Sequence, residues 1–256
     1  MRRPLTPALA ELLAYLGEIG YGDIYVRAAA HEAAPAAHQA PPPPVYAGRA
    51  PDLVAPAASF APLPVKTPDA EERAGQLAAL AATVAGCTRC RLSEGRSKVV
   101  FGSGNPNAEL MLIGEGPGAE EDRQGLPFVG PAGELLTKII QAIDLQRDDI
   151  YIANVVKCRP PGNRDPQPDE VTACRGFLEK QIALVQPRVI VALGKVAAQT
   201  LLGNESPIGQ MRGRWYRIHG VPAMVTYHPA ALLRNQALKR PTWEDMQQVR
   251  DRLRSG

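Results

Sequence analysis

The chain has 256 residues, of which 45% are hydrophobic, and its formal net charge at pH 7 is +3. This composition supplies enough apolar side chains for a packed core, and no run of apolar residues in the sequence is long enough to suggest a membrane-spanning helix. Residues 1–75 carry a net charge of −2 and the remainder a net +5, a balance that is compatible with a polyanionic partner but common among enzymes.

The N-terminal part of the sequence divides into two segments of different character. Residues 1–26 predict a short helix, because leucines recur there at helical spacing. Glu11 and Glu18 interrupt the apolar run, so a secretory signal is not expected and we predict a cytoplasmic protein. Residues 27–70 are rich in Ala and Pro and predict a disordered linker. The helix could dock on the rest of the chain or bind a protein partner.

Residues 71–256 have the pattern of a globular domain, in which short apolar runs alternate with helical patterns. The predicted strands are Leu110–Ile113, Ile150–Val156, Val189–Leu193 and Ala223–Thr226. The predicted helices cover residues 71–85, 132–143, 168–185, 195–202 and 242–253. Apolar strands that alternate with helices indicate an α/β fold with a parallel sheet covered on both faces. Residues 214–226 could add a hairpin at the edge of this sheet.

The loops at the carboxyl ends of the predicted strands are the candidates for function, because ligands of open α/β sheets bind there. Glu115, Asn154 and His228 each follow or end a strand and supply a carboxylate, an amide and an imidazole, while Phe128 adds an aromatic face. Each of them alone could be a turn-former, a strand-end residue or part of the core. Together they suit a planar ring with hydrogen-bonding edges, such as a base.

The segment Gly114–Ala119 has the form G-x-G-x-x-A after a strand, which is also the pattern of a dinucleotide-binding turn. Three features argue against that interpretation. Pro117 has no N–H to offer a pyrophosphate, the next residues are acidic, and no helix N-terminus is expected directly after the loop. In the alternative interpretation, the small residues let a flat ligand approach the backbone closely.

The four cysteines of the chain form two pairs. Cys87 and Cys90 form C-x2-C, and Cys158 and Cys174 form C-x15-C. Four thiolates could hold a zinc ion or an iron–sulfur cluster. Two disulfides, or cysteines that are simply buried as apolar residues, are the alternatives.

A second group of candidates could contact a polyanion. Leu232, Leu233 and Arg234 follow the turn at His228, and an apolar pair beside an arginine could enter a base stack while the guanidinium holds a phosphate. The same residues could instead be the first turn of a buried helix. Arg159, which follows Cys158, could lie along the path of a phosphate backbone.

Taken together, these stretches resemble the family 4 uracil-DNA glycosylases. The resemblance rests on the cysteine spacing, on GEGPG at 114–118 and on HPAALLRN at 228–235, and it extends from about Cys87 to Arg254. It implies a three-layer α/β/α sandwich around a central four-stranded parallel sheet. It also implies an enzyme, expected to act as a monomer, that excises uracil from single- or double-stranded DNA.

The resemblance also implies roles for particular residues. Cys87, Cys90, Cys158 and Cys174 would ligate a [4Fe–4S] cluster. The uracil pocket would comprise Gly114, Gly116, Phe128, Asn154 and His228, with Glu115 and His228 as the catalytic groups. The DNA contacts would be Leu232, Leu233, Arg234 and Arg159. A non-catalytic iron–sulfur DNA-binding module, or a regulatory relative that keeps the fold, would share the cysteines and the basic body without needing the catalytic set.

Overall fold

The computed structural model of the protein describes residues 69–255. The predicted helix at residues 1–26 lies outside the described residues, as does the predicted linker up to residue 68. Among the described helices, none combines the length and the apolar character that a membrane crossing requires.

A six-stranded sheet forms the centre of the described domain. Its strands are β1 (Ser103–Gly104), β2 (Leu110–Gly114), β3 (Tyr151–Asn154), β4 (Val189–Leu193), β5 (Trp215–Ile218) and β6 (Val221–Thr226). They are arranged in the order β1-β3-β2-β4-β6-β5, with β3, β2, β4 and β6 parallel and the two edge strands antiparallel to their neighbours. The predicted four-stranded parallel sheet is therefore confirmed as the centre of a larger sheet.

The sequence predicts one of the two edge strands and misses the other. Strand β5 is the first arm of the expected hairpin, and His219 and Gly220 at its tip both have positive φ angles, as a tight two-residue turn requires. Strand β1 is not predicted, because a two-residue strand is too short to show the alternation that marks a strand in a sequence.

Of the nine helices in the described residues, the first, fourth, fifth, sixth and ninth are those that the periodicity predicts. They are α1 (Ala70–Ala85), α2 (Leu92–Gly95), α3 (Ala119–Gln124), α4 (Pro131–Gln141), α5 (Pro168–Val185), α6 (Lys195–Leu202), α7 (Ile208–Met211), α8 (Pro229–Arg234) and α9 (Lys239–Arg254). Short 3₁₀ turns occupy residues 147–149, 161–163 and 236–238. Helix α9 begins three residues before the predicted start, because Pro241 falls in its first turn, where a missing N–H costs no hydrogen bond.

Helix α3 corrects one expectation, since it begins directly after the glycine-rich loop, where no helix was predicted. The Glu121 carboxylate accepts a hydrogen bond from the Gly118 N–H at 3.1 Å, which caps the first turn. Gly125, with a φ of 82°, ends the helix in the left-handed conformation that glycine adopts readily.

Both faces of the sheet are covered, which confirms the three-layer arrangement. Alternate side chains of a strand point to opposite faces, so Met111 and Ile113 pack on one side of the sheet and Leu110 and Leu112 on the other. The first side is covered by α1, α5 and α6, and the second by α4 and α9. Burial of each such leucine or isoleucine contributes about 1.5–3 kcal/mol.

The strand order determines where a ligand can bind. Strands β3 and β4 flank β2 on opposite sides, and this reversal opens a crevice at the carboxyl ends of the parallel strands. The strand ends are level, since Gly114 pairs with Asn154 and Leu193 with Thr226. The loops that follow the four parallel strands therefore meet at one edge of the sheet.

Candidate active site

A cavity of about 460 Å³ opens at this edge. Its wall includes six of the residues singled out from the sequence, namely Glu115, Gly116, Phe128, Asn154, His228 and Arg234. Gly114 lies directly behind the wall, as its contacts with two of these side chains show. The fold therefore brings together the carboxylate, the amide, the imidazole and the aromatic ring that the sequence places far apart.

The Phe128 ring is held by a strained backbone. Its φ is 52°, a region that a bulky residue rarely adopts and that costs on the order of 1–3 kcal/mol. The Glu121 carboxylate fixes the next two residues, because it accepts hydrogen bonds from the Val129 and Gly130 N–H groups at 3.0 and 3.1 Å. Gly133 packs so tightly that a Cβ there would lie 1.8 Å from the Phe128 carbonyl oxygen. The ring is thus presented in one fixed orientation.

Two glycines of the loop after β2 occupy positions where a side chain would not fit, and one of them packs against this ring. A Cβ on Gly114 would lie 2.5 Å from Asn154 Oδ1 and 2.6 Å from Phe128 Cζ. A Cβ on Gly116 would lie 2.8 Å from a methyl group of Val156. Since real Cβ contacts do not occur at these distances, the glycines allow close packing of protein side chains around the cavity, while close approach of a flat ligand stays a prediction.

Asn154 carries a buried polar atom without a partner. The residue is 1% exposed, and its Oδ1 has no hydrogen-bond partner among the described residues. Buried polar atoms are nearly always paired, so an unpaired acceptor in a cavity wall indicates a position prepared for a ligand. The Asn154 carbonyl oxygen, in contrast, accepts a hydrogen bond from the Lys157 ammonium at 2.8 Å, which fixes the backbone beneath the side chain.

His228 begins helix α8 and is held in one tautomer. The Ala230 N–H donates to Nδ1 at 3.2 Å, so in the neutral ring the proton is on Nε2. Burial, assisted by the charge of Arg234, lowers the pKa of His228 to about 4. A neutral imidazole that donates from Nε2 therefore lines the cavity at physiological pH. Gly194, with a φ of 92°, packs against it so closely that a Cβ would lie 2.8 Å from the His228 Cβ.

Glu115 follows β2 and lies in the same wall. Its pKa is raised to about 7, chiefly by burial and also by the neighbouring Asp165 carboxylate, while Lys195 acts in the opposite direction. The Lys195 ammonium and the Asp165 carboxylate form an ion pair at 3.3 Å. A carboxyl group that titrates near neutral pH can serve as an anion or an acid, which is typical of catalytic sites.

The residues predicted to contact a polyanion differ in their exposure and in their position relative to the cavity. Leu233 is 49% exposed and Arg234 lines the cavity, whereas Leu232 is 1% exposed and packs inside the protein. The buried-helix alternative therefore describes Leu232, and only the second leucine of the pair is available for an outside contact. Arg159 does not itself line the cavity, but it donates to the amide oxygen of Asn163, a residue of the cavity wall, at 2.7 Å.

The four cysteines lie together on the side of the domain where α1 and α5 pack. All four line one small cavity and are free thiols, so the disulfide alternative is wrong. Arg96 donates to the Cys158 sulfur at 3.2 Å, and the Lys157 backbone N–H donates to the Cys174 sulfur at 3.3 Å. Hydrogen-bond donors of this kind stabilise the thiolate form of a cysteine. Burial has the opposite effect and raises the pKa of the Cys174 thiol to about 11.

The arrangement of the cysteines bears on the choice between a single metal ion and a cluster. Within residues 69–255, no three side chains of the His, Cys, Asp and Glu types converge tightly enough to hold one metal ion. Four sulfurs around one cavity nevertheless form a donor set of pure thiolate character, which iron–sulfur clusters use. An all-sulfur donor set of this kind suits a zinc ion as well as an iron–sulfur cluster, so both alternatives stay open at this point.

Two residues that support the site, Glu121 and Lys157, are among those that the sequence does not predict. Glu121 orients the Phe128 loop, and its signal in the sequence is a glutamate three residues after the helix N-cap at Gly118. Lys157 is a fully buried cation whose pKa burial lowers to about 8. Its signal is a single charge within the otherwise apolar run that precedes Cys158.

Comparisons with known proteins identify relatives of the chain. A family model described as the Uracil DNA glycosylase superfamily matches residues 101–247. The chain is 44% identical over 177 residues to the type-4 uracil-DNA glycosylase of Sulfurisphaera tokodaii, covering 66% of this chain and 80% of that protein. It is 45% identical over 170 residues to the type-4 enzyme of Thermotoga maritima, covering 64% and 88%. It is 34% identical over 123 residues to the type-5 enzyme of Thermus thermophilus, covering 42% and 56%.

Proposed function

The chain belongs to the uracil-DNA glycosylase superfamily and to its type-4 members, and we propose that Phe128, Asn154 and His228 form its uracil pocket. The protein excises uracil from DNA by hydrolysing the N-glycosidic bond, which initiates base-excision repair. The observation that carries the proposed pocket is the buried, unpaired Oδ1 of Asn154 beside the Phe128 ring.

Recognition begins when the deoxyuridine is turned out of the base stack into the cavity, at a cost of a few kcal/mol. The uracil stacks on the Phe128 ring. The Asn154 side chain then accepts from uracil N3–H through Oδ1 and donates to O4 through its NH₂ group. Cytosine presents the opposite pattern, and would leave these buried groups unpaired at a cost of about 1–3 kcal/mol. The loop Gly116–Glu121 is proposed to exclude the methyl group of thymine.

Bond cleavage places negative charge on the uracil and positive charge on the sugar. His228 donates a hydrogen bond from Nε2 to uracil O2, where the negative charge develops, and its lowered pKa means that the donor is a neutral imidazole. Ionised Glu115 stabilises the sugar cation or orients the attacking water. A hydrogen-bond donor placed like His228 stabilises the transition state by about 2.7–4 kcal/mol in comparable sites.

The DNA approaches from the open side of the cavity. Exposed Leu233 is proposed to enter the base stack at the position of the extruded nucleotide, and Arg234 to hold an adjacent phosphate. Arg159 is proposed to contact the phosphate backbone further away. Leu232 supports this loop from inside the protein and does not take part in the contact.

Cys87, Cys90, Cys158 and Cys174 are proposed to hold a [4Fe–4S] cluster. When bound, the cluster would cross-link the C-x2-C turn to the chain segments that contain Cys158 and Cys174, which makes its contribution structural. Free thiols of this kind require a reducing environment, so we propose a cytoplasmic location. We also propose that the catalytic activity resides in residues 71–256, acting as a monomer.

The decisive experiment measures free base released from matched single-stranded oligonucleotides that carry U, C or T at one position, under single-turnover conditions. The wild-type protein should release uracil only. Asn154→Ala should lower the rate of uracil release about 5- to 150-fold, which corresponds to the loss of one buried hydrogen-bonding partner. Asn204→Ala, a change at a partly exposed residue that does not line the cavity, is the control and should match the wild type. Equal uracil release by Asn154→Ala would contradict the pocket assignment.

A further inference from the structure

Glu170 is a buried carboxylate that joins two arginines from different parts of the chain. It lies in the first turn of α5 and its side chain is 0% exposed. Arg91 donates to Oε1 at 3.0 Å, and Arg164 donates to both oxygens at 2.7 and 2.9 Å. The Gln167 N–H donates to Oε2 at 2.8 Å. All the acceptor positions of a fully buried anion are thus engaged, which is the condition for such a group to be stable.

One end of this arrangement is the cysteine site. Arg91 directly follows Cys90, and Glu170 lies four residues, or about one helical turn, before Cys174 on the same helix. Arg91 also pairs with Asp169 at 3.3 Å, so two consecutive carboxylates of α5 hold the segment that carries the C-x2-C turn. A shift of that turn would therefore move Arg91 and change its contact with the Glu170 carboxylate.

The other end is the wall of the active-site cavity. Arg164 lines the cavity, and besides its two-pronged contact with Glu170 it donates to the Asp165 carbonyl oxygen at 3.0 Å. Asp165 is the carboxylate that raises the pKa of Glu115 and pairs with Lys195. The position of Arg164 consequently sets the position of the charges that face the proposed catalytic carboxylate.

The strength of the Glu170 contacts makes the link firm. Planar two-pronged contacts between arginine and carboxylate are the strongest and most directional ion pairs in proteins. The Arg164 guanidinium lowers the pKa of Glu170 to about 2, assisted by the Gln167 N–H and by Arg91. The carboxylate therefore remains charged throughout the range in which the protein would act.

We infer that Glu170 is a positioning residue that couples the cysteine site to the active-site wall, through Arg91 on one side and Arg164 on the other. This inference rests on the proposed function. Its consequence is that a change confined to the cysteine side, at a residue that does not line the cavity, alters how the substrate is bound and cleaved.

The test uses Arg91→Gln, because Arg91 is 58% exposed and does not line the cavity, so the variant is expected to fold. The matched control is Arg175→Gln, in which an arginine of α5 that is 64% exposed and pairs only with Glu179 is changed in the same way. Glu170→Gln, which removes the charge from the centre of the link, is a second variant. Each protein is purified with its iron and compared in three measurements: single-turnover release of uracil over a range of protein concentrations, loss of iron to bathophenanthroline disulfonate, and thermal melting.

In Arg91→Gln we expect the half-saturating concentration for uracil release, or its maximal rate, to worsen about 2- to 30-fold, the range typical of coupling between linked sites. Iron loss to the chelator should be faster by a similar factor, and Glu170→Gln should show both effects at least as strongly. Arg175→Gln should match the wild type in all three measurements.

Unchanged uracil release by Arg91→Gln, with faster iron loss or without it, would overturn the coupling while leaving the proposed function intact. So would an equal loss of activity in Arg175→Gln, since the effect would then belong to helix stability in general. A wild-type protein that releases no uracil would instead contradict the proposed function and remove the basis of the inference with it.

Discussion

The ring centroids of Phe128 and His228 are 5.4 Å apart, with the two planes inclined by 31°. One ring can therefore cover the face of a flat heterocycle while the imidazole reaches its edge. The strained backbone of Phe128 and the close contact between Gly194 and His228 keep the two rings in this relation. The site is built before the substrate arrives, which is how electrostatic stabilisation of a transition state is made effective.

His228→Ala should lower the single-turnover rate of uracil excision by about 10²- to 10³-fold, because a donor aimed at the developing negative charge is lost. The free energy of unfolding should fall by only about 0.5–2 kcal/mol, through loss of the cap that Nδ1 provides to helix α8. Because the pKa of His228 is lowered to about 4, the neutral donor is present from pH 5 upward. The pH–rate profiles of the wild type and of His228→Ala should therefore have the same shape near pH 6.5. A titration in that range that is present in the wild type and lost in the variant would refute this assignment.

Glu115→Gln should lower the excision rate, most strongly above pH 7, where the wild-type carboxyl group is ionised. In the wild type the rate should rise with pH through about 7, because the pKa of Glu115 is raised to that value by burial and by Asp165. The variant should lose this rise. A pH–rate profile that has the same shape in both proteins would show that Glu115 is not the titrating group.

The same substitution should also stabilise the protein at alkaline pH. Between pH 4.5 and 7 the folded wild type holds a proton on Glu115 that the unfolded chain has released, so the free energy of unfolding decreases as the pH rises through this range. Glutamine does not titrate and avoids the penalty. At pH 8 the variant should be more stable by roughly 1–3 kcal/mol, as measured by urea unfolding. A combination of lower activity and higher stability is typical of catalytic residues.

The sequence predicts the order of the elements and the chemistry of the strand ends well, because both depend on local patterns. Apolar runs bounded by polar loops identify the four parallel strands, and parallel topology alone requires Glu115, Asn154 and His228 to converge. The roles of the two leucines at 232 and 233 are not predictable in this way. Adjacent residues of a helix face different directions, and which of them is buried depends on packing against distant parts of the chain.

The supporting residues of the site escape prediction for a related reason. Glu121 acts through backbone N–H groups that the fold brings within reach, and Glu170 acts through Arg164 of the preceding loop and through Arg91, which is far from it in the sequence. Their partners are fixed by tertiary structure and leave no periodic signal. The two-residue strand β1 escapes because nothing so short has a pattern.

Cys87→Ser should abolish or strongly reduce the absorbance near 400 nm and the iron content of the purified protein, because a serine hydroxyl is a poor substitute for a thiolate ligand. It should also lower the melting temperature, since the turn would no longer be tied to the segments at Cys158 and Cys174. Thr88→Ser, which changes a neighbouring residue of the same turn without removing a thiol, is the control. Normal absorbance and melting in Cys87→Ser would exclude this residue as a ligand.

Leu233→Ala and Leu232→Ala form a matched pair, since they remove the same atoms from adjacent positions. Leu233 is 49% exposed, so its truncation should leave the free energy of unfolding within about 0.5 kcal/mol of the wild type. Excision from double-stranded DNA should nevertheless fall, because nothing then fills the space left by the extruded base. Excision from single-stranded DNA should fall less, since there is little stacking to replace.

Leu232→Ala should show the opposite pattern. Leu232 is 1% exposed, and truncation of a buried leucine costs about 2–5 kcal/mol through the lost transfer free energy and the cavity left behind. Its activity, measured well below the melting temperature, should fall equally on both kinds of DNA. The ratio of double-strand to single-strand excision thus separates a DNA contact from a packing defect. If that ratio is unchanged in Leu233→Ala, the exposed leucine does not enter the base stack.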